Sequence, residues 1–248
     1  MRHDAVVLAG GTGRRLGGAL KPQVTVRGRR LLDHVLDATA GARRVVVVAP
    51  QTVPVPDGVV RTLENPPHGG PVAGIAAGLH ALGVEAAPLV LVLACDLPGA
   101  ARAVPRLLAA AAHLADSHAA GHADRGGGRT DVGDSSVVGG NWAVGGKSAV
   151  GGEWAVGGKW AGGGEPAGEG TAGGVDGVVL RDEDGRDQWL LGVYATRALR
   201  TRLAELAAAG EVRGTAVRAL VGPLRLLPVP ARPGEAHDVD TWADRDTL

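Results

Sequence analysis

Lys21 stands apart among the basic side chains. The other two lysines, Lys147 and Lys159, lie in a glycine-rich repeat, and every remaining side chain with a fixed positive charge is arginine. Lys21 closely follows a glycine-rich segment, residues 10–18, which comes directly after the apolar run of residues 5–8. A strand that opens into a loop of exposed backbone N–H groups, with one compact ammonium nearby, is typical of a phosphate-binding site.

The glycine loop fits neither of two better-known nucleotide motifs. A dinucleotide fingerprint starting at Gly11 would need glycine where Leu16 stands, and a Walker A loop would need lysine where Ala19 follows Gly18. The loop can still bring its backbone close to an anion, and a plain structural turn is the alternative. Its candidate phosphate-contacting residues are Gly10, Gly11, Gly13, Arg14 and Arg15.

Asp96 ends the most apolar stretch of the chain, residues 89–95. A carboxylate that leaves a buried strand at the ligand-binding edge of a sheet needs a cation or hydrogen-bond donors. Magnesium would meet that need, because it commonly binds one or two carboxylates together with phosphates and water. A helix N-cap is the alternative for Asp96. The neighbouring Cys95 is expected to pack in the core.

Asp238 and Asp240 form a second acidic pair near the C-terminus. In an extended segment, residues two apart point to the same face. The pair could therefore complete a metal site with Asp96. The alternative is that Asp-x-Asp-Thr caps a last helix.

Residues 64–74 form a polar, proline-rich loop that opens a helix of small residues. Small residues allow a planar base to lie against the backbone, which makes Asn65 and Gly74 candidates for nucleotide contact. An ordinary loop, with Pro71 at the start of a helix, explains the same pattern.

Residues 5–114 alternate between short apolar runs and helical stretches, which predicts an α/β fold. The apolar runs lack polar alternation, so both faces of the sheet should be covered, as in a three-layer α/β/α arrangement around a mainly parallel sheet. Ligands of such sheets bind at the carboxyl ends of the strands. Further along, residues 176–180 and 188–194 predict a hairpin with an Asp-Gly turn, followed by a helix over 196–209 and a strand over 224–229.

Residues 116–175 contain 20 of the 41 glycines and carry a six-residue repeat over 142–165. This composition predicts a disordered insertion within a single domain that spans 1–248. A partner-binding motif built on the repeated tryptophans is the alternative.

Net charge, the length of the apolar runs and the cysteine count limit the classes of protein to which this chain can belong. The formal net charge of zero provides no global attraction for nucleic acid or anionic lipid. The longest apolar run, residues 86–95, is too short to span a membrane, and the N-terminus shows no secretory segment. The single cysteine excludes an internal disulfide. We therefore expect a cytoplasmic protein that binds neither nucleic acid nor membrane.

Four motifs, taken in order, resemble those of the MobA-like nucleotidyltransferases, of which the molybdenum cofactor guanylyltransferases are best known. They lie at residues 8–22, 65–74, 95–98 and 238–241. The resemblance implies a Rossmann-like fold of the nucleotidyltransferase type. It also implies transfer of GMP from GTP to the terminal phosphate of molybdopterin, with Mg²⁺ as cofactor and pyrophosphate as product. Transient contact with other cofactor-biosynthesis or molybdoenzyme-maturation proteins would follow.

Carried over by motif, Leu8, Ala9 and Gly10 would line the nucleotide. Lys21 would contact its phosphates, with Arg15 beside it, and Asp96 would hold magnesium. Two departures concern the base: Asn65 stands where the family has an aspartate, and Pro50 stands where it has a base-contacting asparagine. Cytidylyl transfer, another phosphate acceptor such as a sugar phosphate, and a non-catalytic nucleotide-binding protein are the alternatives.

Overall fold

The computed structural model describes residues 1–10, 17, 19–123 and 174–247, with side chains in the third range described as far as residue 112. Most of the predicted glycine-rich insertion and much of the first glycine loop lie outside the described residues. The helix that precedes the insertion continues to Ala123. The helix therefore overlaps the first residues of the predicted insertion, 116–123, and the insertion itself stays a prediction.

The described residues form nine strands: β1 His3–Leu8, β2 Thr25–Val26, β3 Arg29–Arg30, β4 Val45–Val48, β5 Val60–Thr62, β6 Leu89–Ala94, β7 Gly177–Arg181, β8 Asp187–Ala195 and β9 Leu226–Pro230. They also form six α-helices: α1 Leu31–Asp37, α2 Gly70–Leu82, α3 Ala100–Ala123, α4 Thr196–Ala208, α5 Val217–Val221 and α6 Trp242–Asp246.

Seven strands form one sheet in the order β5-β4-β1-β6-β8-β7-β9. Neighbouring strands pair in parallel, except that β8 runs antiparallel to both β6 and β7. The predicted mainly parallel sheet is confirmed, as is the β7–β8 hairpin. A hydrogen bond from Asp182 N to Arg186 O, 2.9 Å long, closes its turn.

Helices cover both faces of this sheet because the central strands are apolar on both. Along β1, Ala5 and Val7 face the core beneath α1 and α3, whereas Val6 faces the core beneath α2, α4 and α5. Helix α2 approaches β1 closely: a Cβ atom on Gly78 would lie 2.4 Å from a methyl carbon of Val6. The predicted three-layer arrangement is confirmed, and glycine is required where α2 crosses β1.

A third, smaller cluster connects distant parts of the chain at the carboxyl edge of the sheet. It contains Val24, Val26, Leu31 and Val239, all buried. The amide of Val239 also donates to the backbone carbonyl of Asp96 over 3.0 Å. The cluster therefore fixes the C-terminal segment against both the β2–β3 hairpin and the end of β6.

Asp4 forms a separate ionic anchor at the opposite end of β1 and is fully buried. Burial alone would raise its pKa, but hydrogen bonds from Arg43, the Ala87 amide and Arg44 outweigh burial and lower the pKa. Because it lies at the amino end of the strand, this network supports the fold rather than the carboxyl-edge site.

Within the part of the chain that the structure describes, none of the helices combines the length and apolarity needed to cross a membrane.

Candidate active site

Three segments bring charged side chains to the carboxyl edge of the sheet. Lys21 begins a short 3₁₀ turn, Lys21–Gln23, which is anchored by the buried Pro22. Asp96 lies just beyond the end of β6. Asp240 follows the buried Val239. All three positions depend on contacts near the central strands, where parallel sheets place their ligands.

The Lys21 ammonium lies between two carboxylates. Its Nζ is 2.6 Å from Asp96 Oδ2 and also donates to Asp240 Oδ1. The side chains of Lys21, Asp96 and Asp240 are 15%, 21% and 39% exposed, so this cluster is partly shielded from solvent. One positive charge faces two negative charges. The structure therefore brings together the two residues on which the sequence argument rested, Lys21 and Asp96.

Two opposing effects act on the pKa of Lys21. Desolvation by burial lowers it, but the charge of Asp96 and the hydrogen bonds to Asp240 and Asp96 together outweigh burial and raise it. Lys21 therefore keeps its positive charge at neutral pH. Among the described residues, two of its three N–H donors go to the carboxylates, so the third can serve a further acceptor such as a phosphate oxygen.

The residue that caps the last helix is Thr241. Its hydroxyl accepts from the amide of Asp244 over 3.2 Å, and the Asp244 carboxylate accepts from the amides of Thr241 and Asp240 over 2.7 and 3.0 Å. This capping box satisfies the start of α6 without the side chain of Asp240. The helix-cap alternative thus accounts for Thr241 and Asp244, and the Asp240 carboxylate remains directed to Lys21.

Asp238, two residues before Asp240, is exposed. Desolvation and the nearby negative charges of Asp240 and Asp96 raise its pKa. Among the described residues, however, no group of three or more His, Cys, Asp or Glu side chains is placed to hold a metal ion. The assignment of a metal to Asp96, Asp238 and Asp240 together stays a prediction.

Asp96 and Cys95 differ sharply in environment. Helix α3 begins at Ala100, whose amide donates to Leu97 O over 3.0 Å, and the Asp96 carboxylate pairs with Lys21. These contacts favour the cation-binding interpretation of Asp96 over an N-cap. Cys95 is buried, and burial raises the pKa of its thiol strongly. A thiol held in its neutral form is a poor nucleophile, so Cys95 serves packing.

The end of β1 forms the wall beside this cluster. The carbonyl of Leu8 accepts from the Cys95 amide over 3.0 Å, and the amide of Ala9 donates to Val48 O over 2.9 Å. Gly10 is exposed, and a Cβ added there would meet nothing within 4 Å. Open space at Gly10 is compatible with a bound nucleotide. The predicted contacts of Gly11, Gly13 and Arg15 concern positions outside the described residues.

The loop before α2 is held from two sides. Glu64 Oε1 accepts from the amide of Gly69 over 3.3 Å, and Arg213 donates to Pro66 O over 2.6 Å. The amide of Gly214 donates to Gly69 O over 2.8 Å. The sequence analysis missed Arg213 and Gly214, because nothing local connects the turn after α4 to a loop that precedes it by well over a hundred residues.

Asn65 and Gly74 have different environments within the predicted nucleotide loop and helix. Asn65 is exposed, and it precedes a cis peptide bond to Pro66. Gly74 is buried, and an added Cβ would lie 3.1 Å from a methyl carbon of Leu8. Helix packing therefore accounts for glycine at position 74, and nucleotide contact by either residue stays a prediction.

Residues 5–224 match the family model described as a MobA-like NTP transferase domain. A molybdenum cofactor guanylyltransferase from Acidiphilium cryptum is 37% identical over 124 residues, which are 48% of this chain and 62% of that protein. One from a Shewanella species is 32% identical over 114 residues, 44% of this chain and 57% of that protein. The chain thus spans about three fifths of these relatives.

Solved structures with the same fold superpose on nearly the whole chain. Molybdopterin-guanine dinucleotide biosynthesis protein A from Archaeoglobus fulgidus superposes with a TM-score of 0.52 and 16% identity, covering 98% of this chain and 95% of that one. The 2-C-methyl-D-erythritol 4-phosphate cytidylyltransferase from Thermus thermophilus gives a TM-score of 0.56 and 18% identity, covering 100% of this chain and 97% of that one. At these identities the likeness establishes the fold alone.

Proposed function

Because the chain belongs to the MobA-like NTP transferase family, we propose that it transfers GMP from GTP to the terminal phosphate of molybdopterin and releases pyrophosphate. The single observation that carries the proposal is the convergence of Lys21, Asp96 and Asp240 at the carboxyl edge of the sheet. The guanylyltransferase names of the relatives support the choice of nucleotide and acceptor. A cytoplasmic location and transient contact with other proteins of cofactor biosynthesis or molybdoenzyme maturation are parts of the same proposal.

The reaction needs positioning and charge neutralisation more than covalent chemistry. An oxygen of the acceptor phosphate attacks the α-phosphorus of GTP and forms the new phosphorus–oxygen bond. The bond from that phosphorus to the oxygen bridging to the β-phosphate breaks, and its electron pair leaves with pyrophosphate. Lys21 would place its remaining N–H donor on a phosphate oxygen, and fixed positive charge at such a position stabilises the charge that develops in transfer.

The charges of the described cluster fit an additional divalent cation. A triphosphate would bring further negative charge to a site where one ammonium already faces two carboxylates. The pKa of Asp238 is raised first by desolvation and then by the charges of Asp240 and Asp96. Asp96 and Asp240 are the carboxylates that would hold Mg²⁺, which accepts such hard oxygen donors together with phosphates and water. When bound, Mg²⁺ would neutralise phosphate charge.

Two features of the chain would keep the reacting groups in place. The buried Val239 holds Asp240 against the β2–β3 hairpin, so the carboxylate is positioned before a substrate arrives. The bonds from Arg213 and Gly214 hold the loop before α2, where the nucleoside is proposed to lie. Preorganisation of this kind lowers the barrier because the protein does not have to rearrange during the reaction.

The test is a direct assay of transfer. The full chain is incubated with GTP, Mg²⁺ and molybdopterin, and both pyrophosphate and the guanylylated product are measured. A parallel reaction with CTP decides the base, because Asn65 departs from the family pattern. Product from GTP alone supports the proposal, product from CTP alone replaces guanylyl with cytidylyl transfer, and no product from either refutes transfer to molybdopterin.

Asp96→Asn is the matched variant for the metal. It keeps the size of the side chain and removes its charge, so the fold should persist while turnover and its response to Mg²⁺ concentration change. An unchanged Mg²⁺ dependence in the variant would remove Asp96 from the proposed metal site. Binding of GTP without turnover by the wild-type chain would instead favour the non-catalytic nucleotide-binding alternative.

A further inference from the structure

A buried ion pair lies where the segment that leads to the terminal aspartates crosses α3. The side chain of Glu235 is 2% exposed, and its Oε2 accepts from Nη2 of Arg106, which lies on α3. The amide of Arg232 donates to the same carboxylate oxygen over 2.8 Å. A carboxylate removed from water needs charged and polar partners of this kind, and these partners hold Glu235 in one orientation.

Arg106 also fixes the other end of this turn. Its Nη1 donates to the carbonyl of Pro230, at the end of β9, over 3.0 Å. The amide of Glu235 donates to Arg232 O over 3.0 Å and closes the turn from within. One guanidinium therefore ties both ends of residues 230–235 to α3, a task that suits the fixed, planar arrangement of its terminal nitrogens.

Each partner of the pair lies in a segment that carries an active-site carboxylate. Arg106 lies on α3, which begins shortly after Asp96 and the end of β6. Glu235 lies in the segment that continues to Asp240. The ion pair therefore joins the two segments at a point outside the site, and the Lys21 ammonium joins them within it.

Two backbone contacts between the ion pair and the site bring the same segments together. A Cβ added to Gly99 would lie 2.3 Å from the carbonyl oxygen of Gly234, so these two backbones are in direct contact. Closer to the site, the amide of Val239 donates to Asp96 O over 3.0 Å. The segments thus run side by side from the ion pair to the carboxylates, and a displacement at the ion pair would shift the carboxylates.

The charges at the site make such an external anchor useful. Asp96, Asp238 and Asp240 bring negative charge to neighbouring positions, and like charges at short distance repel each other. Lys21 opposes this repulsion while it donates to Asp96 and Asp240, and substrate phosphates would compete for it. The ion pair on α3 is made by other groups, so it can hold the segments together whatever Lys21 binds.

We propose that Arg106 and Glu235 are positioning residues for nucleotidyl transfer, and that their ion pair sets the separation between the carboxylates of Asp96 and Asp240. They act through the two segments rather than by touching a substrate. The inference deepens the proposed function and rests on it for the effect on turnover. The arrangement of the carboxylates around Lys21 is a property of the free protein and can be measured without substrate.

Comparison of Glu235→Gln with Asp4→Asn tests the proposal. Each substitution removes the charge of a buried carboxylate that pairs with arginine, and Asp4 lies at the end of β1 opposite the site. Glu235→Gln should lower kcat for pyrophosphate release by roughly tenfold to a hundredfold, because a displacement of about 1 Å at a reacting group can cost that much. It should also raise the Mg²⁺ concentration needed for half-maximal rate. Asp4→Asn should leave both values unchanged, although urea titrations should show a comparable loss of stability.

A measurement without substrate or metal separates this inference from the proposed function. The acetylation rate of Lys21 by an N-hydroxysuccinimide ester at neutral pH is followed by mass spectrometry, with the other two lysines, Lys147 and Lys159, as internal reference. An ammonium held between two carboxylates reacts slowly, so Glu235→Gln should raise the rate at Lys21 severalfold and Asp4→Asn should not. If the wild-type chain transfers no nucleotide, the proposed function fails, yet this comparison still tests the positioning.

Arg106→Lys is the second variant. It keeps the positive charge but replaces the two-nitrogen bridge to Glu235 and Pro230 by a single ammonium. It should change the same values in the same direction by a smaller factor, and it takes the place of Glu235→Gln if that variant does not fold. An unchanged acetylation rate at Lys21 in whichever variant folds would overturn the proposal, as would equal effects of Glu235→Gln and Asp4→Asn. Circular dichroism of each variant establishes that it is folded.

Discussion

Replacing Lys21 by methionine should affect turnover far more than stability. Methionine keeps an unbranched side chain of similar length and removes the charge that Asp96 and Asp240 share. Loss of one donor from a site that stabilises developing charge costs about 3–4 kcal/mol of transition-state stabilisation, or roughly two to three decades in turnover. Pyrophosphate release from GTP with molybdopterin measures this loss.

The expected cost in folding free energy is smaller. Removing one partner of a fully buried ion pair costs about 3–5 kcal/mol, whereas exposed pairs contribute about 0–1 kcal/mol. The side chains of this cluster are between 15% and 39% exposed, which places them between the two cases. We expect Lys21→Met to lower the free energy of unfolding by about 1–2 kcal/mol in urea titrations at neutral pH.

A double-mutant cycle separates the two roles of Lys21. In Lys21→Met, the carboxylates of Asp96 and Asp240 lose the ammonium that lies between them, and their mutual repulsion grows. Adding Asp240→Asn should recover part of the lost stability, because it removes that repulsion, yet it should not recover turnover. Wild-type turnover in Lys21→Met would exclude a role of the ammonium in transfer, and so would a recovery of turnover that follows the recovery of stability. Arg197→Ala, which removes an exposed arginine on α4, is the surface-charge control for both measurements.

Three further predictions concern the structure that supports the site. Asp4→Asn should lower the free energy of unfolding by about 3 kcal/mol, since it leaves Arg43 without its buried partner. Because the pKa of Asp4 is lowered on folding, the carboxylate's contribution to stability is complete above its ordinary pKa of 3.8 and is lost as pH falls through the pKa of the folded state. The stability difference between wild type and variant should therefore shrink in urea titrations at acid pH. Val239→Ala should cost about 1–2 kcal/mol in urea unfolding and raise the KM for GTP, because the buried valine positions Asp240; an unchanged KM would show that this anchoring is not needed. Gly78→Ala should lower the midpoint of thermal unfolding by several degrees, at a cost of about 1–3 kcal/mol, because its methyl group would collide with β1; an unchanged midpoint would contradict the close approach of α2.

Local patterns were enough to predict the sheet and the edge of it at which Lys21 and Asp96 lie. Apolar runs without alternation predict buried parallel strands, and ligands of such sheets bind at the carboxyl ends, which Lys21 and Asp96 follow; the structure adds that the two preceding strands, β1 and β6, are neighbours. The same reasoning could not foresee that Lys21 would lie between Asp96 and Asp240. That arrangement depends on how a segment near the C-terminus packs, which no local pattern encodes.

The parts that escaped prediction all depend on contacts between distant segments. In the sequence, Val239 is one apolar residue between two aspartates, and only the folded structure shows that it fills the cluster beside the β2–β3 hairpin. The local sequence around Arg213 predicts only a surface arginine, yet its side chain donates to Pro66 O and holds the loop before α2.

A crystal structure of the full chain with Mg²⁺ and a non-hydrolysable GTP analogue would show whether the cluster around Lys21 binds the nucleotide. We expect Lys21 Nζ within hydrogen-bonding distance of a phosphate oxygen, with Mg²⁺ bound by the carboxylates of Asp96 and Asp240. A nucleotide bound elsewhere, with no phosphate or metal ion contacting Lys21, Asp96 or Asp240, would contradict it.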